Sequence, residues 1–241
     1  MSVEHRVAVV TGASNGIGRV VTRRLLAQGY RVAAIGRRLE PLEESLGGSA
    51  LGLALTADVR DPTAVECAFD AIVSQWSRVD LLFNNAGVFG EHASPQETTS
   101  DGWTDTWGTN VSGAFYCARA AIRQMQSQNP RGGRIINNGS VSAFSPRPKS
   151  VSYTTTKHAM SGLTKAISLD TRGLDIACGQ INIGNASTSI FDDLGTDEFR
   201  EPTFSAEHVA DAVLFMAGLP LGVNVLEMTI LANDMPFIGR G

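Results

Sequence analysis

A tyrosine and a lysine stand four residues apart in the second half of the chain, at Tyr153 and Lys157. On a helix this spacing places both side chains on one face. A tyrosine hydroxyl ionises in water only well above neutral pH, and a neighbouring ammonium group favours its ionised form. The pair therefore has the chemistry of a proton-transfer site. Ser140 precedes the tyrosine by thirteen residues, and Asn110 lies further upstream.

A glycine-rich turn near the start of the chain predicts a dinucleotide site. Residues 11–18 read TGASNGIG, after a predicted strand and at the start of a predicted helix. Gly12 allows a tight turn, Gly16 lets the backbone approach a pyrophosphate, and Gly18 permits close packing of helix on strand. The helix N-terminus offers unpaired N–H groups to the phosphates. A plain tight turn is the alternative reading.

The end of the second predicted strand bears on which dinucleotide is bound. An acid there typically holds the ribose hydroxyls of NAD, whereas an arginine suits the 2′-phosphate of NADP. Arg37 and Arg38 occupy this position, and no acid occurs before Glu40. The sequence therefore favours NADP as the cofactor. NAD remains an alternative, in which case the two arginines would be ordinary surface residues.

The elements that must position these residues alternate along the chain. Short β-branched runs are followed by longer helix-like segments, a pattern typical of a parallel sheet covered by helices. The predicted strands cover residues 6–11, 31–35, 51–57, 79–83, 134–137, 176–183 and 229–232. The predicted helices cover residues 17–28, 101–128 and 151–171. The pattern thus predicts an α/β fold.

Composition narrows the classes of protein. The 241 residues are 43% hydrophobic and 18% charged, which is enough to bury a core. A net charge of −4 argues against a nucleic-acid partner. The sequence contains neither a run of about 20 apolar residues nor a signal-peptide pattern, so we expect a cytoplasmic protein without a membrane partner. The three cysteines show no zinc-site spacing, and no metal is predicted.

Together these motifs resemble the short-chain dehydrogenase/reductase (SDR) family. The resemblance covers nearly the whole chain and adds Asp58 after the third strand and the sequence NNAG at residues 84–87 after the fourth. The motifs occur in the order and at the spacing of the family. The resemblance implies one domain over residues 1–241, built on a single doubly wound parallel sheet (a Rossmann fold) with helices on both faces.

The resemblance also implies catalytic roles. Tyr153 would exchange a proton with the substrate oxygen as hydride is transferred. Lys157 would favour the phenolate and hold the nicotinamide ribose. Ser140 would bind the substrate oxygen, with Ser142 as a competitor for this role, and Asn110 would support a water that leads protons from Lys157 to solvent.

The cofactor-binding set that the resemblance implies runs from the glycine turn to the sixth strand. Two positions depart from the family: Ile183 replaces a usual proline, and Asn15 stands where many NADP-preferring members carry a basic residue. Ser187 is an alternative to Thr188 as the residue that holds the nicotinamide amide. The set comprises Gly12, Ser14, Asn15, Gly16, Ile17, Gly18, Arg37, Asp58, Val59, Asn85, Ala86, Gly87, Tyr153, Lys157, Gly184 and Thr188.

The expected function is hydride transfer between NADP(H) and a small ketone, aldehyde or alcohol, in a homodimer or homotetramer formed through helices 101–128 and 151–171. The C-terminal residues 228–236 resemble those of NADP-dependent hydroxy-acid and serine dehydrogenases. The alternatives are a 3-oxoacyl-thioester reductase and a catalytically silent NADP(H)-binding sensor or scaffold.

Three segments are expected to wall the substrate pocket: residues 88–92, 142–150 and 188–204. Residues 188–205 are expected to form a lid, and a solvated loop whose charges face water is the alternative. Up to residue 204 this segment carries five acids against one arginine, a surface unfavourable for an acyl carrier protein or coenzyme A. Arg147 and Lys149 are candidates to attract a carboxylate. Alternatively, both are ordinary exposed residues.

Overall fold

The computed structural model describes residues 6–187 and 201–236. Its large sheet consists of β1 (Val7–Thr11), β2 (Arg31–Gly36), β3 (Gly52–Thr56), β4 (Leu81–Asn84), β5 (Gly133–Asn138), β6 (Ile176–Ile183) and β9 (Glu227–Ile230). A separate pair is formed by β7 (Ala186–Ser187) and β8 (Phe204–Ser205). The helices are α1 (Gly16–Ala27), α2 (Leu39–Leu46), α3 (Pro62–Trp76), α4 (Ser100–Trp107), α5 (Ala114–Ser127), α6 (Val151–Asp170) and α7 (Ala206–Gly218).

Within the described ranges, the seven strands of the large sheet are ordered β3-β2-β1-β4-β5-β6-β9, and every neighbouring pair is parallel. The order reverses between β1 and β4, which leaves a crevice at their carboxyl ends where ligands bind in sheets of this kind. The predicted doubly wound parallel sheet is confirmed.

Helices cover both faces of the sheet because its strands are apolar on both sides. In β1, Ala8 and Val10 pack in one core cluster with residues of α1, α2 and α7. Val7 and Val9 pack in a second cluster with residues of α3, α5 and α6. This alternation is the period-two pattern of a strand buried on both faces.

The structure contains three helices that were not predicted, α2, α3 and α7. Each has a recognisable capping residue at its start or its end. Helix α3 begins after Asp61, whose carboxylate accepts a hydrogen bond from the amide of Thr63, with Pro62 in the first turn. Helix α7 is capped in the same way by Ser205. Helix α2 ends at Gly47 in the left-handed conformation.

The helix predicted over residues 101–128 is present without a break in helical conformation, but it includes a π-helical turn that the sequence did not predict. A π-helical turn at Gly108–Gly113 separates α4 from α5. Two poor helix formers, Gly108 and Gly113, bound this turn, and the amide side chain of Asn110 bonds to groups outside it. The last strand of the sheet also begins two residues before its predicted start, at Glu227.

None of the helices in the described ranges is long and apolar enough to cross a membrane.

Candidate active site

A cleft with about 1000 Å³ of empty space, part of it open to solvent, lies at the carboxyl ends of β1, β4, β5 and β6. Most of the predicted site residues meet in its wall. The described lining residues are Gly12, Asn15, Gly16, Ile17, Asn85, Ala86, Gly87, Val88, Phe89, Asn138, Gly139, Ser140, Val141, Ser142, Arg147, Tyr153, Lys157, Ile183, Gly184, Asn185 and Ala186.

The glycine turn has the geometry of an anion cradle. Gly12 and Gly16 have positive φ angles of 64° and 49°, which glycine adopts without strain. A Cβ atom on Gly18 would lie 2.2 Å from the carbonyl oxygen of Gly12, so helix α1 can pack this closely only at a glycine. No acid occurs in the first turn of α1, and Asn15 makes no side-chain capping bond. The free N–H groups of this turn and the cleft in front of them fit the phosphates of a dinucleotide.

The turn is held in place by side chains from neighbouring elements. Thr11 accepts hydrogen bonds from the amides of Asn85 and Ala86, at 3.0 Å each. The side-chain amide of Asn85 donates to the carbonyl oxygen of Thr11 at 3.0 Å and to that of Gly12 at 3.3 Å. The side chain of Asn85 therefore braces the glycine turn, and Asn85 also lines the cleft.

Three of the four predicted catalytic residues, Ser140, Tyr153 and Lys157, line the cleft together. Helix α6 carries Tyr153 and Lys157, and the Lys157 nitrogen lies 5.4 Å from the centre of the Tyr153 ring. Lys157 Nζ also donates a 2.8 Å hydrogen bond to the carbonyl oxygen of Asn138, at the end of β5. Ser140 is 5% exposed, and its hydroxyl accepts a bond from the amide of Ser142. Both serines line the cleft, so the choice between them remains a prediction.

Asn110 lies behind this group rather than in the cleft wall. Its side-chain oxygen accepts a 2.8 Å bond from the amide of Val88. Its side-chain nitrogen donates to the carbonyl oxygen of Val88 at 2.9 Å and to the hydroxyl of Thr156 at 3.0 Å. These bonds connect the segment after β4 to the catalytic helix.

Five predicted cofactor-binding residues lie outside the described cleft wall: Ser14, Gly18, Arg37, Asp58 and Val59. Arg37 is exposed. The carboxylate of Asp58 accepts bonds from Arg60 at 2.7–3.1 Å. These bonds to Arg60, with a smaller contribution from the charge of Arg37, lower the pKa of Asp58. Val59 Cγ2 lies 2.6 Å from the position that a Cβ atom added to Gly113 would take, so Val59 packs against the π-helical turn.

The segment after β6 is described only as far as residue 187. Ile183, at the usual proline position, is paired with Ile230 as the last residue of β6. Gly184 lines the cleft, and its amide donates to the carbonyl oxygen of Ile230 at 2.8 Å. Thr188 and most of the predicted lid, residues 188–200, lie outside the described residues. The hydroxyl of the alternative residue, Ser187, lies 2.9 Å from that of Thr203.

The cleft also contains Phe89, from the predicted wall segment 88–92, and two asparagines to which the sequence alone assigned no role. The Phe89 ring stacks on Tyr153 with 4.9 Å between ring centres. The side chain of Asn138 donates to Asn85 at 2.9 Å. Asn185 is buried in the wall beside Gly184. Asn138 is the last residue of β5, and Asn185 lies two residues after β6. Their positions at the carboxyl ends of predicted strands could have identified both as candidate site residues.

A Rossmann sheet with a glycine-rich turn at its crevice defines a class of dinucleotide-binding proteins. Comparison with known families makes the assignment narrower. The family described as "short chain dehydrogenase" matches residues 6–198. The chain belongs to the short-chain dehydrogenase/reductase family, and it is an oxidoreductase of the kind that acts on hydroxyl or carbonyl groups.

Individual relatives differ in the substrates that their names record. A 3beta-hydroxysteroid dehydrogenase of Mediterraneibacter gnavus is 34% identical over 184 residues, which span 74% of this chain and 65% of that protein. The NADP-dependent 3-hydroxy acid dehydrogenase YdfG of Shigella flexneri is 30% identical and aligns over 97% of each chain. The closed form of a serine dehydrogenase complexed with NADP⁺ is 27% identical, with a TM-score of 0.86 over 94% of each chain.

Proposed function

We propose that this protein transfers a hydride between NADP(H) and a small alcohol or carbonyl compound, using Ser140, Tyr153 and Lys157. The observation that carries the proposal is the meeting of these three side chains in one cleft with the glycine turn. Such a cleft holds a dinucleotide and a small substrate side by side. The nicotinamide ring, when bound, supplies or accepts the hydride.

Each residue of the proposed triad has a distinct task. Tyr153 takes the proton of the substrate hydroxyl during oxidation and returns it to the carbonyl oxygen during reduction. Ser140 hydrogen-bonds the same oxygen and orients it. An ammonium group has three N–H donors, and the bond to Asn138 uses one of those on Lys157. The remaining donors are available to the nicotinamide ribose, and their positive charge favours the phenolate of Tyr153.

Asn110 is proposed to support the path by which protons reach solvent. Both N–H groups of its side chain and its side-chain oxygen are used by Val88 and Thr156. A water on this path would therefore bind to backbone atoms of the π-helical turn. The side chain of Asn110 would hold that turn in place.

Measuring absorbance at 340 nm tests the proposal. NADPH with a panel of ketones, aldehydes and oxo acids, and NADP⁺ with the matching alcohols, should give turnover with at least one substrate pair. NADPH binding without turnover of any member of a broad panel would favour the alternative of a silent sensor.

The preference for NADP is proposed from Arg37 and from the absence of an acid at the end of β2. The positive charge of the Arg37 guanidinium helps to lower the pKa of Asp58. A relative named as NADP-dependent and a solved structure holding NADP⁺ support the same choice.

Replacing Arg37 with aspartate should weaken NADPH binding about 10- to 100-fold while weakening NADH binding much less, because an arginine–phosphate pair is replaced by repulsion. Fluorescence titration of both cofactors measures this shift. The matched control is Arg172→Asp, an exposed arginine before β6 that should leave both affinities unchanged. Equal effects on the affinities for NADPH and NADH would show that Arg37 is an ordinary surface residue that does not bind the 2′-phosphate.

We further propose that one domain binds both ligands and that the protein forms a homodimer or homotetramer. Exposed Trp103 on α4, Phe115 on α5 and Leu169 on α6 support association through these helices. The cytoplasmic location expected from the sequence stays a prediction.

A further inference from the structure

The described wall of the cleft contains two charged side chains, Arg147 and Lys157, and both are cationic. Lys157 is already engaged by Asn138 and faces Tyr153. Arg147 is therefore the positive charge that the proposed proton transfer does not use. Lys149, the other basic residue of the same loop, is exposed and lies outside the described wall.

Arg147 is built into the wall by contacts from two other segments. Its Nη2 atom donates 2.6 Å hydrogen bonds to the side-chain oxygen of Asn185 and to Glu201 Oε2. Asn185 in turn donates to the same Glu201 oxygen at 2.7 Å. The side chains of Arg147 and Glu201 are only 21% and 20% exposed. Burial lowers the pKa of the Arg147 guanidinium, although an arginine stays charged at any physiological pH.

This arrangement leaves Nη1 as the guanidinium nitrogen that can serve a ligand. Both bonds described above use Nη2, and Nε is buried without a hydrogen-bond partner. Nη1 makes no hydrogen bond to the described residues and is not among the buried unpartnered atoms. Glu201 holds the guanidinium but is not itself among the residues that line the cleft. An N–H group of a guanidinium donates a charge-assisted hydrogen bond to a carboxylate, and Nη1 is the donor left for it.

We propose that Arg147 binds a carboxylate of the substrate, so that the reacting compound is a small hydroxy acid or the corresponding oxo acid. This inference rests on the proposed oxidoreductase function and adds the substrate class to it. Arg147 and Tyr153 line the same cleft. A substrate carboxylate on Arg147 would thus fix the distance between the acid group and the carbon that reacts at Tyr153. Asn185 and Glu201 are positioning residues for the arginine.

The test compares acids with neutral compounds of the same shape. Hydroxy acids with the hydroxyl on the second, third or fourth carbon are assayed with NADP⁺ beside their methyl esters. The wild-type protein should show a higher kcat/KM for at least one acid than for its ester. Arg147→Met should lower this acid-to-ester ratio about 10- to 100-fold, mainly through KM, since it removes a charge-assisted pair from the acid alone. Arg147→Lys should recover part of the ratio, and the control Lys149→Met should leave it unchanged.

A second variant guards against loss of folding. Arg147→Met removes the ion pair between Arg147 and the partly buried Glu201, which is destabilising in itself. The double variant Arg147→Met/Glu201→Gln removes both charges and retains an amide that can bond to Asn185. It should keep a cooperative thermal transition and NADPH binding, measured by fluorescence, and show the same lowered ratio.

The outcomes separate this inference from the function on which it rests. A wild-type preference for esters over all acids, or an equal loss of both activities in every Arg147 variant, would overturn the role of Arg147 while leaving the oxidoreductase function intact. Absence of turnover with acids, esters and the wider panel would instead overturn the proposed function.

Discussion

Tyr153 is the residue whose hydroxyl the proposed chemistry requires most directly. Tyr153→Phe retains the ring that stacks on Phe89 but removes the group that exchanges the proton. We expect kcat to fall by about 10²- to 10⁴-fold, the usual contribution of a positioned acid–base group, with NADPH binding retained. Absorbance at 340 nm and fluorescence titration measure the two effects.

The matched control for this variant is Tyr116→Phe. Tyr116 lies on α5 and its ring faces the guanidinium of Arg119, away from the described cleft wall. This change should leave kcat within a factor of about two, as expected for a residue without a part in transition-state binding. Normal turnover by Tyr153→Phe would refute the assigned mechanism.

For single residues, the sequence predicts which side chains belong to the site better than it predicts their contacts. The four-residue spacing placed Tyr153 and Lys157 on one helix face, whereas the family resemblance placed Ser140 beside them. The bond from Lys157 to the carbonyl oxygen of Asn138 depends on where a strand end lies relative to a helix, which residue spacing does not encode. The bond between Arg147 and Glu201 joins residues 54 positions apart, and no local pattern indicates it.

Among the elements, helix α1 depends on close contact with the glycine turn. A Cβ atom at Gly18 would meet the Gly12 carbonyl oxygen at 2.2 Å and the Asn85 side chain at 2.6 Å. Since backbone on the strand side cannot yield easily, Gly18→Ala should destabilise the fold by about 1–3 kcal/mol and weaken NADPH binding. Urea denaturation and fluorescence titration measure these two quantities.

Gly162 provides a control of the same chemical type. It is exposed within α6, and nothing lies within 4 Å of an added Cβ. Gly162→Ala should therefore stabilise the protein by about 0.5–1 kcal/mol, because alanine favours a helix interior. If Gly18→Ala were as stable as this control, the close approach of α1 to the turn would not constrain the fold.

The periodicity of apolar residues predicted the strands of the sheet and helices α1 and α6 well. It also predicted the helical course of residues 101–128, but it did not predict the π-helical turn between α4 and α5, through which the apolar stripe continues. The cause of that turn includes the bonds of Asn110 to Val88, which are tertiary contacts. Periodicity reports which face is buried, and it does not report where the backbone hydrogen bonds change partner.

For the whole molecule, association is the property that the exposed apolar side chains indicate. Sedimentation velocity should give two or four times the chain mass of 25.6 kDa. Phe115→Glu should shift the protein toward the monomer, because a charge would be buried at the proposed contact. Leu39→Glu, at an exposed leucine of α2, is the control and should not change the sedimentation coefficient. A monomeric wild-type protein would contradict the proposed assembly.

Asn138 has two opposite attachments, and they limit how the protein can be redesigned. Its side chain bonds to Asn85, which braces the glycine turn, while its carbonyl oxygen accepts the bond from Lys157. A shift of the turn is therefore transmitted through two hydrogen bonds to the ammonium beside Tyr153. We therefore expect substitutions at the turn that change cofactor affinity to alter the rate of the proposed proton transfer as well. Arg37 lies outside this chain of contacts, so a substitution there should leave that rate unchanged.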